Sequence, residues 1–257
     1  MILNNAENKV HSVLPVSCQD SPADKRTPGD VRGLEIPACA ADEDLYVYTG
    51  YVSSYNHTTL CPDWVAYCMT DEDVEGQFKH NYSFSRDPQV KGRQASREDY
   101  SGSGYDKGHM VPRADMKWSM EAYRETFFFT NVCPQVHKMN NGCWSELEQR
   151  CRRVARHYGT LYVVTGPIFD SDHPKTIGRA KVHVPDRFFK ALLVPDGDSY
   201  HAIAFVMRNT EEKQSVRASA ISVDSLERIL NRDMFPSLEE KWQRVAEAHY
   251  DWEDWKL

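Results

Sequence analysis

Apolar residues in this chain fall into short, strand-length runs, and segments with helical periodicity do not alternate regularly with them. A parallel sheet needs a long crossover, usually a helix, between successive strands. This spacing therefore predicts an α+β fold with an antiparallel sheet. Leu45 to Tyr48, Gly50 to Tyr55 and Trp64 to Met69 are rich in β-branched and aromatic residues and read as strands, with Asn56 to Pro62 as a hairpin loop. Residues 71–104 are charged and contain Gly and Ser, which reads as an irregular excursion. From Gly142 to Tyr158 the apolar positions Trp144, Leu147, Cys151, Val154 and Tyr158 recur at three- and four-residue steps, the pattern of an amphipathic helix, and Gly159 is placed to stop it. Leu161 to Thr165 reads as a buried strand ended by Gly166-Pro167. Val182 to Val184 and Phe188 to Val194 read as a hairpin around Pro185-Asp186. Ala202 to Met207 reads as a further strand, and Val223 to Leu230 and Leu238 to His249 as helices.

The 257 residues divide into a polar leader, residues 1–32, broken by Pro15, Pro22, Pro28 and Gly29, and one domain, residues 33–257. No apolar run approaches the ~20 residues of a membrane span, so no membrane partner is expected. Met1 to Asn5 show no signal-peptide hydrophobic region, and the chain reads as starting near a processing point. A net charge of −7 argues against capture of nucleic acid by bulk charge but leaves room for a local basic cleft. There are seven cysteines and no Cys-x-x-Cys pair. That argues against a zinc knuckle and predicts disulfides in an oxidising compartment, secreted or periplasmic.

Two polar clusters carry the chemistry. Asp106-Lys107-Gly108-His109 packs a carboxylate, a cation, a permissive glycine and an imidazole together. A neutral imidazole suits proton abstraction from water near neutral pH. Asn131, Gln135, Asn140 and Glu148 follow. Asn140 offers a hard, uncharged oxygen of the kind magnesium accepts, although Asn140-Asn141-Gly142 reads equally well as a turn or helix N-cap. Glu148 either holds a metal-bound water or pairs with Arg152 one turn along. Arg152 either makes that pair or neutralises a phosphate. A base, a cation and hard oxygen donors are what phosphodiester hydrolysis with one hard metal ion requires.

These residues resemble a known family. Asp106-Lys107-Gly108-His109 is similar to the Asp-Arg-Gly-His signature of the DNA/RNA non-specific endonucleases. Asn131-Val132-Cys133-Pro134-Gln135, Asn140, Trp144 and Glu148 follow that family's Asn-x-x-Pro-Gln and Asn-x-x-x-Trp-x-x-x-Glu pattern. Further blocks, including Val164-Thr165-Gly166-Pro167 and Phe188-Phe189-Lys190, occur in the family's order, so the resemblance spans roughly residues 33–240. Lys107 departs from the pattern: it keeps the charge of the family's arginine and loses the bidentate fork.

The resemblance implies a ββα-metal (His-Me finger) fold, with a central antiparallel sheet flanked by helices. It implies a magnesium-dependent endonuclease, with manganese as a substitute ion, that cuts DNA and RNA without sequence preference and leaves 5′-phosphates. In that reading His109 is the general base and Asn140 the direct metal ligand. Glu148 and Asn131 position the hydrated ion, Lys107 and Arg152 belong to the catalytic set and also bind substrate, Arg152 at the scissile phosphate, and Arg86, on a weaker match, contacts phosphate. A homodimer is a further family expectation. Two rival readings are a catalytically weak nucleic-acid-binding relative and a metal phosphodiesterase acting on small nucleotides.

Overall fold

The computed structural model describes residues 33–255. The leader expected at residues 1–32 lies outside the described residues. Seven antiparallel strands form the central sheet: β1 (Leu45–Val47), β2 (Val52–Asn56), β3 (Cys61–Thr70), β6 (Thr160–Ile168), β9 (Arg187–Asp196), β10 (Ser199–Arg208) and β11 (Ala220–Ile221), side by side in that order. A small hairpin of β4 (Asp106–His109) and β5 (Val132–Gln135) stands apart from it, as does a pair of two-residue strands, β7 (Thr176–Ile177) and β8 (Val182–His183).

The sheet has a core on each face, and strand alternation decides which side chain enters which. Along β3, Val65, Tyr67 and Met69 point into one core and Trp64, Ala66 and Cys68 into the other. Helix α1 (Ser145–Tyr158) lies over the first face and buries Leu147, Cys151 and Val154 of the expected stripe together with Ala155, while Tyr158 is half-buried. Gly159 ends it at φ 79°, a conformation that favours glycine. Helix α2 (Val223–Leu230) covers the second face through Val223 and Leu226, and Ser222 caps it by accepting from the Ser225 N–H.

Four local readings change. The helical segment starts before Gly142: His137–Met139 is helical and Asn140–Trp144 forms a wider π-turn broken at Gly142 (φ −101°, ψ −112°). Strand β6 runs through Gly166-Pro167. Pro167 is tolerated because β3 pairs with β6 only as far as Thr165, so that stretch bonds to β9 alone. Val182–His183 pairs with Thr176–Ile177, while β9 forms its hairpin with β10. The helix expected over Leu238 to His249 is a short turn at Glu240–Trp242 followed by a π-turn at Gln243–Glu247.

The expected disulfides are also corrected. Among the described residues none of the six cysteines forms a disulfide, and five of them are buried; Cys18 lies outside these residues. The sequence count reflects core packing, where cysteine acts as a small hydrophobe. Burial pushes the Cys151 thiol up to about 12.

Candidate active site

The two polar clusters meet as partner strands. In the β4–β5 hairpin Asp106 faces Gln135, Gly108 faces Cys133 and His109 faces Val132, and the chain then runs directly into the π-turn and α1. Strand alternation puts Lys107 and His109 on one face. Both meet Phe84: its ring centre lies 5.1 Å from the imidazole and 5.8 Å from the Lys107 ammonium, which also lies 5.7 Å from the Tyr100 ring. On the other face a Cβ at position 108 would sit 2.0 Å from Gln135 Oε1 and 2.4 Å from its Cγ, so glycine is required there.

His109 is half-buried, with Phe127 edge-on at 5.5 Å. Its Nε2 is buried and has no hydrogen-bond partner. Burial, with the Arg113 charge second, pushes its pKa down to about 4, so the ring is neutral at pH 7 and able to accept a proton.

Asn140 stands on the π-turn, where helices are often locally widened at functional sites. Its amide donates to Asp106 Oδ2 at 2.9 Å, and the same oxygen lies 2.9 Å from His137 Nδ1. An ionised carboxylate only accepts. The amide nitrogen must therefore face Asp106, which turns the Asn140 oxygen away and leaves it available. Asp106 thus fixes the amide.

Asn131 departs from its expected place beside a hydrated ion. It is fully buried, and its amide is committed to main chain: Oδ1 accepts from Val111 N at 2.8 Å, and Nδ2 donates to the carbonyls of Val111 and Thr126, both at 3.0 Å. It clamps the segment that leaves His109 to the start of β5. Arg152 does not pair with Glu148. Its Nη1 donates to Asp115 Oδ1 at 2.6 Å, and the Tyr67 hydroxyl donates to Asp115 Oδ2 at 3.0 Å. Arg86 is exposed, two residues from the Phe84 ring that touches His109.

Sequence reading missed several members of the site. Asp115 is buried and holds Arg152. Lys190 on β9 is fully buried and its ammonium has no hydrogen-bond partner; it lies 4.8 Å from the Trp144 ring and 5.9 Å from the Tyr67 ring. The sequence marked it only as part of the Phe188-Phe189-Lys190 block and as a lysine inside an apolar strand, without a role. Burial pushes the Glu148 carboxyl up to about 7 and Asp115 adds to this, while Lys190 and Arg152 pull the other way. A cationic face also forms here. Burial lowers the Lys117 pKa, and the charges of Lys79, Arg152 and Arg113 lower it further. These four residues come from three segments, Arg113 and Lys117 sharing one short turn, and in a chain of net charge −7 they concentrate positive charge beside the hairpin.

The donor set fits a hard divalent cation. It offers a free amide oxygen at Asn140 and carboxylates at Asp106 and Glu148. Among the described residues no three His, Cys, Asp or Glu ligand atoms converge at this place. A soft or tetrahedral metal lacks its thiolates and imidazoles here, whereas magnesium keeps several waters and needs few protein oxygens.

Hairpin, widened turn, helix, orphaned imidazole and oriented amide define a nuclease fold of the ββα-metal type. The description "DNA/RNA non-specific endonuclease" matches residues 34–241, and the chain belongs to that family, whose members are enzymes that cut nucleic acid. It is 33% identical over 222 residues to the mitochondrial nuclease EXOG of Danio rerio, covering 80% of this chain and 64% of that protein. It is 31% identical over 215 residues to the mitochondrial endonuclease G of Bos taurus, covering 78% and 71%. It is 34% identical to mitochondrial nuclease 1 of Schizosaccharomyces pombe, covering 75% and 66%. The chain therefore spans about two thirds of the length of these relatives. The solved EndoG/EndoGI complex matches it with a TM-score of 0.73 at 27% identity, covering 78% of this chain and 89% of that one. These names overturn the expectation of a secreted or periplasmic protein, which rested on a cysteine count that the structure assigns to buried thiols.

Proposed function

We propose that this protein is a magnesium-dependent endonuclease that hydrolyses DNA and RNA without sequence preference and leaves 5′-phosphate ends. The observation that carries the reading is the buried, partnerless Nε2 of a neutral His109 on the same hairpin that orients Asn140. His109 accepts the proton of the attacking water. Asn140 would hold the cation through its amide oxygen, with Glu148 nearby to orient water around it. When bound, the cation neutralises charge on the phosphoryl oxygens and on the leaving 3′-oxygen. Arg152, steadied by Asp115, presents its remaining N–H groups to the phosphate. Lys79, Arg113 and Lys117 hold the flanking backbone, with Arg86 as a further contact. Recognition through phosphates and not base edges supports indifference to sequence. The mitochondrion is the compartment the named relatives support.

The test is supercoiled plasmid and a structured RNA incubated with the full chain, in magnesium and in EDTA, beside His109→Ala and Asn140→Ala. Metal-dependent nicking of both substrates, lost in both variants, with 5′-phosphate ends by end-labelling, is the expected result. An intact plasmid with hydrolysis only of mono- or dinucleotides would move the reading to a small-nucleotide phosphodiesterase. Metal-independent retention of DNA without cleavage would move it to a binding protein.

A further inference from the structure

A second carboxylate site lies on the opposite face of the sheet from the hairpin. Asp224 and Glu227 stand one turn apart on α2, and Glu247 ends the π-turn at Gln243–Glu247. One carboxylate oxygen from each lies within 4.8 Å of the others. Both segments pack on β10, α2 through Leu226 and the π-turn through Ala246, in the core away from His109.

Such a cluster by itself means little, because acidic residues often neighbour one another at a surface. Glu247 makes this one different. It is only 4% exposed, and its Oε1 is sealed from solvent with no hydrogen-bond partner. The charges around it are Glu227, Asp233 and Asp224, all negative, and none of the cluster's three carboxylates forms an ion pair among the described residues. Glu227 uses Oε1 to accept the Met234 N–H at 2.8 Å, and Asp233 uses Oδ1 to accept the Phe235 N–H at 3.2 Å. These bonds fix the loop after α2 and leave each group a second oxygen. A buried, partnerless carboxylate among like charges costs several kcal/mol unless a proton or a cation neutralises it.

We infer that Asp224, Glu227 and Glu247 bind one hard divalent cation of the calcium class, which cross-links α2 to the C-terminal turn. Oxygen-only ligands exclude a soft metal. Three converging carboxylates exceed what magnesium usually takes from a protein and suit the larger, more flexible shell of calcium. The ion is structural: it lies behind the sheet and touches none of the groups assigned to hydrolysis.

The competing account is a shared proton, since burial, with repulsion from Glu227, Asp233 and Asp224, pushes the Glu247 carboxyl up to about 8. The two accounts separate in one experiment. Metal-stripped full-length protein is titrated with calcium chloride and, separately, magnesium chloride, following bound ions by equilibrium dialysis and the thermal midpoint. Wild type, Asn140→Ala and Glu247→Gln are compared. Calcium at about a hundred times its Kd should raise the midpoint of wild type and Asn140→Ala by roughly 5–10 °C. Glu247→Gln should lose one bound calcium and that rise, and its metal-free midpoint should lie above wild type because a like charge is gone. Magnesium should need at least roughly tenfold higher concentration for the same effect. Unchanged calcium stoichiometry in Glu247→Gln would overturn the site, and so would Asn140→Ala protein that binds no calcium. A metal-free midpoint that climbs as pH falls below about 8, with no response to calcium, would assign the cluster to the shared proton. Glu227→Gln repeats the test if Glu247→Gln fails to fold.

Discussion

His109 shows how one side chain is tuned by what surrounds it. Burial, and then Arg113, disfavour the imidazolium, so the ring stays neutral well below its ordinary 6.5. The proton-accepting form therefore persists into acid. An NMR titration of the His109 ring should show its midpoint near 4; a midpoint at 6.5 would place the base in an ordinary environment. The same shift acts on stability. The folded pKa lies below the unfolded one, so the unfolded chain takes up the proton first. This contribution is complete above about pH 6.5 and is lost as pH falls towards 4. His109→Gln should flatten that part of the stability curve in urea titrations at stepped pH. Asp115 gives a second prediction at this scale. Its carboxylate is buried and answers to Arg152 and the Tyr67 hydroxyl. Asp115→Asn should destabilise the fold by about 3 kcal/mol, because it leaves a largely buried guanidinium without its counter-charge. It should lower kcat/KM more than an exposed neutral substitution does. Unchanged denaturation and turnover would remove Asp115 from the site.

At the scale of the element, the β4–β5 hairpin works because the backbone of β4 presses against the side chain of Gln135. A methyl group at position 108 would overlap that side chain from Cγ outward, and Gln135 is fully buried with little room to move. Gly108→Ala should cost about 1–3 kcal/mol in wild type. It should cost clearly less in a Gln135→Ala background, giving a coupling of about 1 kcal/mol or more in a double-mutant cycle. Equal cost in both backgrounds would mean that glycine is kept for backbone reasons alone. The helix that follows was legible from its apolar stripe, since Leu147, Cys151 and Val154 are buried as the spacing requires. Its start was not. The π-turn at Asn140–Trp144 arises where hairpin, Asp106 and helix meet, and periodicity carries no trace of such a junction.

Across the whole molecule, a net negative chain presents a local cationic face assembled from Lys79, Arg113, Lys117 and Arg152. Affinity for DNA measured with His109→Ala protein in EDTA should fall steeply with salt. The slope of log K against log salt should shrink by roughly one for each of these cations replaced by alanine. A slope unaffected by Lys117→Ala or Arg113→Ala would place the nucleic acid elsewhere. Mostly buried cysteines without a disulfide among the described residues give a second test at this scale: excess reductant should leave the thermal midpoint unchanged, whereas a drop would reveal a structural disulfide.

Read alone, the sequence determined the antiparallel α+β class, most strand positions, the amphipathic helix, and the candidate base, amide and arginine. Each of these rests on local periodicity or on residues close together in the chain. Tertiary structure decided their partners. It paired Arg152 with Asp115 instead of Glu148, committed Asn131 to main chain, placed Lys190 under Trp144, gathered four cations from three segments, and brought Glu247 against α2. The reason is physical. Hydrogen-bond saturation, burial and charge proximity depend on distances between residues far apart in sequence, and the chain sets those distances only when the sheet has closed its two cores.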